Sequence, residues 1–364
     1  MSCTQFRFAP TLIAAMAVLA IVTGCPPTDD DESASTGFDD AVVIEDFTDQ
    51  VVIPTYAWLA AAAGDLNDAV AALTASPTET THAAAKAAWV ATRMPWEQSE
   101  GFLFGPVDTY GIDPALDTWP VNKTDLDAVL SGPDDLTMEY VSNLDPSLKG
   151  FHSIEYLLFG EDSEKAVEGF TAREFEYLVA LTGELAANAD TLASSWTDGV
   201  DGGEPYGDIF RGAGTNSAYP SLGSAAQEIV EGMIGICDEV ANGKIADPFD
   251  NQDPNLVESQ FSFNSLADFS DNMRSVRNAF NGSVPDAETA GTGLGSWVES
   301  RDADLAAQIN DLIDQSIAAL GEISHPFRDA ILDPAAEDTI IAAQAVINEL
   351  RVVLEDDLIA LVLE

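Results

Sequence analysis

Across residues 43–73 the apolar side chains Val43, Phe47, Val51, Trp58, Ala62, Leu66, Val70 and Leu73 recur at steps of three, four or their sum. A period near 3.6 places them on one side of a helix, so this stretch predicts one long amphipathic helix, bent at Pro54 where the backbone lacks a donor. Ser76-Pro77-Thr78 opens a second helix carrying His82, Ala85, Trp89, Val90 and Arg93, with Pro95 as a kink or break. The Gly- and Pro-rich residues 101–120 read as loop, 125–130 as a short helix and 171–196 as a long one. Further helical patterns cover 221–242, 265–280, 294–320 and 334–363. No stretch sustains two-residue alternation with β-branched side chains, so the expected fold class is all-α. Six glycines fall within 199–219. The expected architecture is two tandem helical bundles, 41–200 and 221–364, joined by a Gly-rich linker at 201–220.

The first forty residues read differently. One cation, Arg7, precedes an apolar run over residues 11–22, and Val22-Thr23-Gly24-Cys25 then has the form of a lipobox. That run falls well short of the roughly 20 residues that span a bilayer. Residues 1–24 are therefore expected to be a lipoprotein signal peptide, with Cys25 lipidated after cleavage. Each buried acyl CH₂ contributes about 0.8 kcal/mol, so such an anchor holds firmly. Residues 25–40, acidic and apolar-poor, read as a flexible tether. The expected location is the cell envelope outside the cytoplasm, on the outer membrane or periplasmic face if the cell has two membranes. With Cys3 in the signal peptide and Cys25 carrying lipid, Cys237 is left alone and no disulfide framework is available.

The chain carries 63 acidic and 14 basic residues, a net charge of −49. Phosphate contacts need cations that are scarce here, which excludes nucleic acid as a partner and confines membrane contact to the lipid. Self-repulsion on this scale opposes compaction unless salt screens it, and adaptation to high salt is the expected reason for it.

Three segments carry candidate chemistry. In Gly150-Phe151-His152-Ser153-Ile154-Glu155 the imidazole and the carboxylate stand at i and i+3, on one face of a helix. They form either a plain hydrogen-bonded pair or a pair able to reach one ion. Gly150 would permit close approach by another group. In the second segment Arg93 and Glu100 lie among Trp89, Trp96, Phe102 and Phe104, where buried charges need partners and a structural ion pair is the default. In the third, residues 258–272, polar groups alternate with Phe261, Phe263 and Phe269, as a helix cap or as the wall of a site.

Together these segments resemble the imelysin-like family of bacterial surface and periplasmic proteins. Gly150, His152 and Glu155 match its GxHxxE signature, followed by Leu157-Leu158-Phe159-Gly160 and Asp162. Trp89 and Arg93 match its W-x-x-x-R segment, and Gln98, Ser99, Glu100 and Phe102 its Q-[ST]-E-x-F run. Gly105-Pro106-Val107-Asp108 and Trp119-Pro120 match two later turns. The resemblance implies two packed helical bundles with the GxHxxE region near their interface, and a link to iron uptake. It also implies a family first named for insulin cleavage and classed by some as metallopeptidase. Where relatives carry histidine near residue 260, this chain has Ser262, Asn264 and Ser265.

On that resemblance, the expected function is binding of a metal or an iron-containing ligand for uptake. The expected cofactor is a divalent or ferric ion, iron ahead of zinc. His152, Glu155 and Glu100 are the expected ligands, with Arg93, Asp108, Gly150, Ser262 and Asn264 around them. The expected partners are iron or haem transport components and, through Cys25, the membrane. A metallopeptidase and a non-catalytic interaction module are the alternatives. A zincin needs H-E-x-x-H, and Tyr156 stands four residues after His152.

Overall fold

The computed structural model describes residues 39–284 and 291–363, so the signal peptide, Cys25 and nearly all of the tether lie outside the described residues. Among the described residues there are helices and connecting turns but no strand, as the periodicity predicts. The long helices are α1 (Ile53–Ala75), α2 (Glu79–Glu97), α3 (Gly150–Phe159) and α4 (Ala172–Thr197), then α5 (Leu222–Asp238), α6 (Ser265–Asn281), α7 (Ala303–Gly321) and α8 (Glu337–Val353). Among them none is long and apolar enough to cross a membrane.

Local chemistry sets the helix ends. Thr78 caps α2, Thr171 caps α4 and Ser221 caps α5, each through a reciprocal capping box with the residue three further on. Such caps contribute about 1 kcal/mol each. Pro95 lies within α2, which runs on to Glu97 before it ends. The expected helix over 294–320 is two, Leu294–Glu299 and α7, because Asp302 caps a new start. The expected loop over 101–120 contains two short helices, Pro106–Tyr110 and Ile112–Leu116.

The first helix buries the expected apolar face except at Trp58. Residues Phe47–Val52 form a π-helical turn ahead of α1, and Pro54 sits in the first turn of α1 rather than at a mid-helix bend. A π turn inserts a residue and rotates the face that follows. The buried stripe on α1 is Tyr56, Leu59, Ala62, Ala63, Leu66, Val70 and Leu73, while Trp58 is turned outward at 39 % exposure.

Helices α1, α2, α3 and α4 pack as one group, and α5, α6, α7 and α8 as another. The described residues nevertheless form one compact unit. The Gly-rich residues expected as a linker hold a helix, Tyr206–Arg211, whose Phe210 is fully buried against Phe47, Phe104, Trp196 and Tyr219. Tyr206 and Phe210 on this helix, with Tyr219 after it, supply apolar area that the glycine content conceals. The two groups touch through the turn Glu100–Phe102, which packs on α5 and α6. At Gly232 an added Cβ would lie 2.3 Å from the Gly101 carbonyl oxygen, so the backbones meet there without side chains.

Gly150 opens α3 at φ +72°, and a Cβ built on it would lie 2.2 Å from the Leu116 carbonyl oxygen. Both the left-handed backbone and the contact exclude a side chain. Gly150→Ala is expected to destabilise the protein by at least about 2 kcal/mol, read from the urea midpoint. An unchanged midpoint would refute this account of Gly150.

Candidate metal centre

Helix α2 presents Arg93 and Glu97 one turn apart, and the turn that follows brings Glu100. The residue ending Ile112–Leu116 is Asp117, and α3 supplies His152 and Glu155. From the second helix group come Lys244, on the π-helical turn Glu239–Ile245, Glu258 ahead of α6, and Asp268 and Asn272 one turn apart on α6. All are buried. The cluster thus holds six carboxyl groups against two permanent cations and one imidazole, in a region nearly closed to solvent.

Arg93 is fully buried and binds Glu97 and Asp117 from its own half. Its Nη2 also donates to Glu258 Oε1 at 2.8 Å and lies 3.5 Å from Asp268 Oδ2. Lys244 Nζ donates to Glu100 Oε2 at 2.7 Å and lies 3.1 Å from Glu258 Oε2 and 3.4 Å from Glu97 Oε2. Asn272 Nδ2 donates to Glu97 and Glu100 at 2.6 and 2.7 Å. Trp96 Nε1 donates to Asp117 Oδ2 at 2.6 Å.

Glu155 is expected as a ligand, but both its oxygens are engaged. Oε1 accepts from the Phe261 N–H, the Ser262 N–H and the Ser262 hydroxyl at 2.9, 2.7 and 2.8 Å. Oε2 lies 3.1 Å from His152 Nδ1. Glu155 therefore holds the imidazole in place, as carboxylates commonly do behind a metal-binding histidine. Ser259 and Phe263, at φ 50° and 62°, flank the loop whose successive N–H groups converge on Glu155. Such left-handed non-glycine residues cost on the order of 1–3 kcal/mol each and gather at functional sites.

His152 Nε2 points the other way, 3.0 Å from Asp117 Oδ1 and 3.8 Å from Glu258 Oε1. It is buried and lacks an aligned hydrogen-bond partner, as do Glu258 Oε2 and Asp268 Oδ2. One ligand atom each from Asp117, His152 and Glu258 lie within 4.8 Å of one another, as do atoms from Glu97, Glu100 and Asp117. An imidazole with carboxylates is a donor set for borderline and hard divalent ions.

The electrostatics follow from burial and neighbours. Burial pushes the Glu258 carboxyl up, but Lys244, His152 and Arg93 outweigh it and hold it near about 2. Asp117 is likewise held well below the usual carboxylate range, because Arg93 and His152 overcome its burial. Burial works against a charged His152, yet Asp117, Glu155 and Glu258 raise it well above the ordinary imidazole value. Glu100 is raised by burial despite Lys244. Asp268 is raised to about 7, by burial first and by the charge of Glu258, with Arg93 opposing.

The structure thus gathers Arg93, Glu100, His152, Glu155 and Ser262 from the expected set. Glu100 engages Lys244 and Asn272 rather than Arg93. Asn264, at the start of α6, donates to Asp268 Oδ1 at 2.7 Å and orients it instead of facing an ion. Gly150 shapes the helix start. Asp108 is exposed in the first turn of Pro106–Tyr110, outside the cluster. Glu97, Asp117 and Lys244 escaped sequence reasoning as site members, and Glu258 and Asp268 were reached only within the 258–272 segment, as a helix cap or the wall of a site. Scarcity could have flagged one, since Lys244 is among only five lysines.

Comparison with known proteins gives a consistent match. The family model for imelysin matches residues 52–354. Iron-regulated protein A of Synechococcus elongatus is 34% identical over 321 residues, covering 88% of this chain and 86% of the relative. The crystal structure of a protein described as an iron-regulated protein A precursor from Parabacteroides distasonis superposes with a TM-score of 0.81 at 27% identity, over 90% of this chain and 96% of that one. An imelysin-like protein from Psychrobacter arcticus shares the fold, with a TM-score of 0.70 at 14% identity over 91% and 97% of the two chains.

Because its carboxyl is raised in the folded state, Asp268 contributes stability below its unfolded value near about 4 and loses it as pH rises through about 7. Thermal melts in chelator should show the wild type losing more stability between about pH 5 and pH 8 than Asp268→Asn does. Parallel profiles would count against a raised Asp268.

Proposed function

The chain belongs to the imelysin family, and from that premise we propose that it captures a metal ion, with iron as the cargo, at the face of the envelope. The observation that carries the reading is the buried His152 Nε2, 3.0 Å from Asp117 Oδ1 and grouped with Asp117 and Glu258 oxygens within 4.8 Å, where an ion would bind by displacing the imidazole proton. Asp117, His152 and Glu258 would hold the ion. Glu155 keeps the imidazole oriented, and Arg93 fixes Asp117 and Glu258 from behind. The excess of buried acid favours a cationic ligand, and the Synechococcus relative is named for regulation by iron.

Capture is better supported than peptide hydrolysis. Three histidines exist in the chain, and only His152 belongs to the cluster. His82 Nε2 is paired with the Leu158 carbonyl at 2.7 Å, and His325 is exposed beside Phe263. Tyr156 packs against Phe261 rather than supplying a second imidazole. Lipid on Cys25 would hold the acidic body at the envelope, where an adjacent transport component could take over the cargo.

Two measurements test the reading. Anaerobic calorimetric titration with Fe²⁺ should show binding by the wild type, loss of it in His152→Ala, and weakening by about 10- to 100-fold in Glu155→Gln. Equal binding by all three would sink the proposed centre. In cells, Cys25→Ser should move the protein from the membrane to the soluble fraction. A mutant that stays in the membrane fraction would argue against the lipid anchor.

A further inference from the structure

The cluster contains a cation of its own in a place where an ion would be held. Lys244 Nζ lies within 2.7–3.4 Å of one carboxylate oxygen each of Glu100 and Glu97 and of both oxygens of Glu258. Two of these, Glu97 and Glu100, form with Asp117 the second group of donor atoms close enough to share an ion. The third, Glu258, belongs to the first group, with Asp117 and His152. The ammonium therefore draws on both groups at once, and whatever binds His152 must share Glu258 with it.

The way Lys244 is mounted fits a side chain that can give way. It sits on the π-helical turn Glu239–Ile245, between α5 and the helix Ala246–Asn251. Such turns are frequent at functional sites. Gly243 precedes it, with only the Glu239 side chain near its Cβ position, at 3.9 Å. The half-buried Trp119 ring, 5.5 Å from Nζ, covers it from the side of the Asp117 loop. Glu239, at the start of the same turn, is exposed and close enough to act on the Lys244 charge.

We propose that Lys244 is a tethered counter-ion that competes with the captured ion for Glu258 and its neighbours, and so sets the affinity of the site and keeps capture reversible. The inference rests on the capture reading above. In the metal-free protein the ammonium balances carboxylates that could not stay buried and charged alone. Arg93 stays on Glu258 in either state, and Lys244 is the cation on the longer tether, so a divalent ion can outcompete its single charge for Glu258, whereas a monovalent ion gains too little to displace it. The competition thus favours multivalent cargo and spares the receptor an irreversible grip.

The test uses Fe²⁺ under anaerobic conditions with the wild type, Lys244→Met, the charge-balanced double variant Lys244→Met with Glu100→Gln, and His152→Ala. Lys244→Met should bind at least about tenfold more tightly than the wild type, because removing a unit charge a few ångströms away relieves a repulsion of that order, and the double variant, which also gives up the Glu100 charge, should bind more tightly by a smaller factor. Lys244→Met should also melt lower without metal and gain more on adding Fe²⁺ than the wild type does. Should Lys244→Met fail to fold, the double variant, which removes one charge of each sign, carries the measurement. Binding by either folded Lys244 variant that is equal to or weaker than wild type, with His152→Ala inactive, would overturn the Lys244 inference and leave the capture reading intact. Equal binding by His152→Ala and wild type, or none by any variant, would overturn the capture reading and this inference with it.

Discussion

Everything around the centre depends on Arg93. A guanidinium with no exposure to solvent must be neutralised by the protein itself, and here four carboxyl groups do so from both helix groups. Removing one partner from such an arrangement strands a charge in a medium that cannot solvate it, typically at about 3–5 kcal/mol. The positions of α2, the Asp117 loop, the Glu258 loop and α6 are therefore fixed relative to one another by one side chain. The hydrogen bonds of Lys244 and Asn272 to Glu97 and Glu100, and of Glu155 to the 261–262 backbone, run across the same seam.

That seam is polar within a largely apolar body. The aromatic cluster of Phe47, Tyr56, Phe102, Phe104, Trp196 and Phe210 adjoins it and excludes water. Low dielectric then strengthens every charge interaction inside and separates neighbouring carboxyls. Glu258 is held near about 2 while Asp268 rises to about 7, although both face Arg93. The exposed acid that gives the chain its charge of −49 is a separate matter. Salt screens charges on the surface, and it reaches the buried cluster far less.

Much of the fold was legible in the sequence. Three- and four-residue steps marked the long helices, and Thr78, Thr171 and Ser221 marked where three of them begin. The errors arose where the chain departs from a regular period. Beyond the π turn at Phe47–Val52, Trp58 faces outward from the expected stripe, and Asp302 divided one expected helix into two. Residues 201–220 looked like a linker because glycine dominated the reading, whereas Tyr206, Phe210 and Tyr219 tie that stretch to the core.

What the sequence determined alone was local: an all-α chain, a heavily acidic composition, and an imidazole and a carboxylate on one face of α3. Those follow from period, charge and spacing, which need no knowledge of distant neighbours. Only the tertiary structure decided what the pair does. Three donors from residues 261 and 262, more than a hundred positions away, engage one oxygen of Glu155 and leave the other on His152. Asp117, Lys244 and Glu258 enter the same space from three other parts of the chain. Each taken alone is an ordinary charged residue. Folding removes the water around them, and once buried they must answer one another.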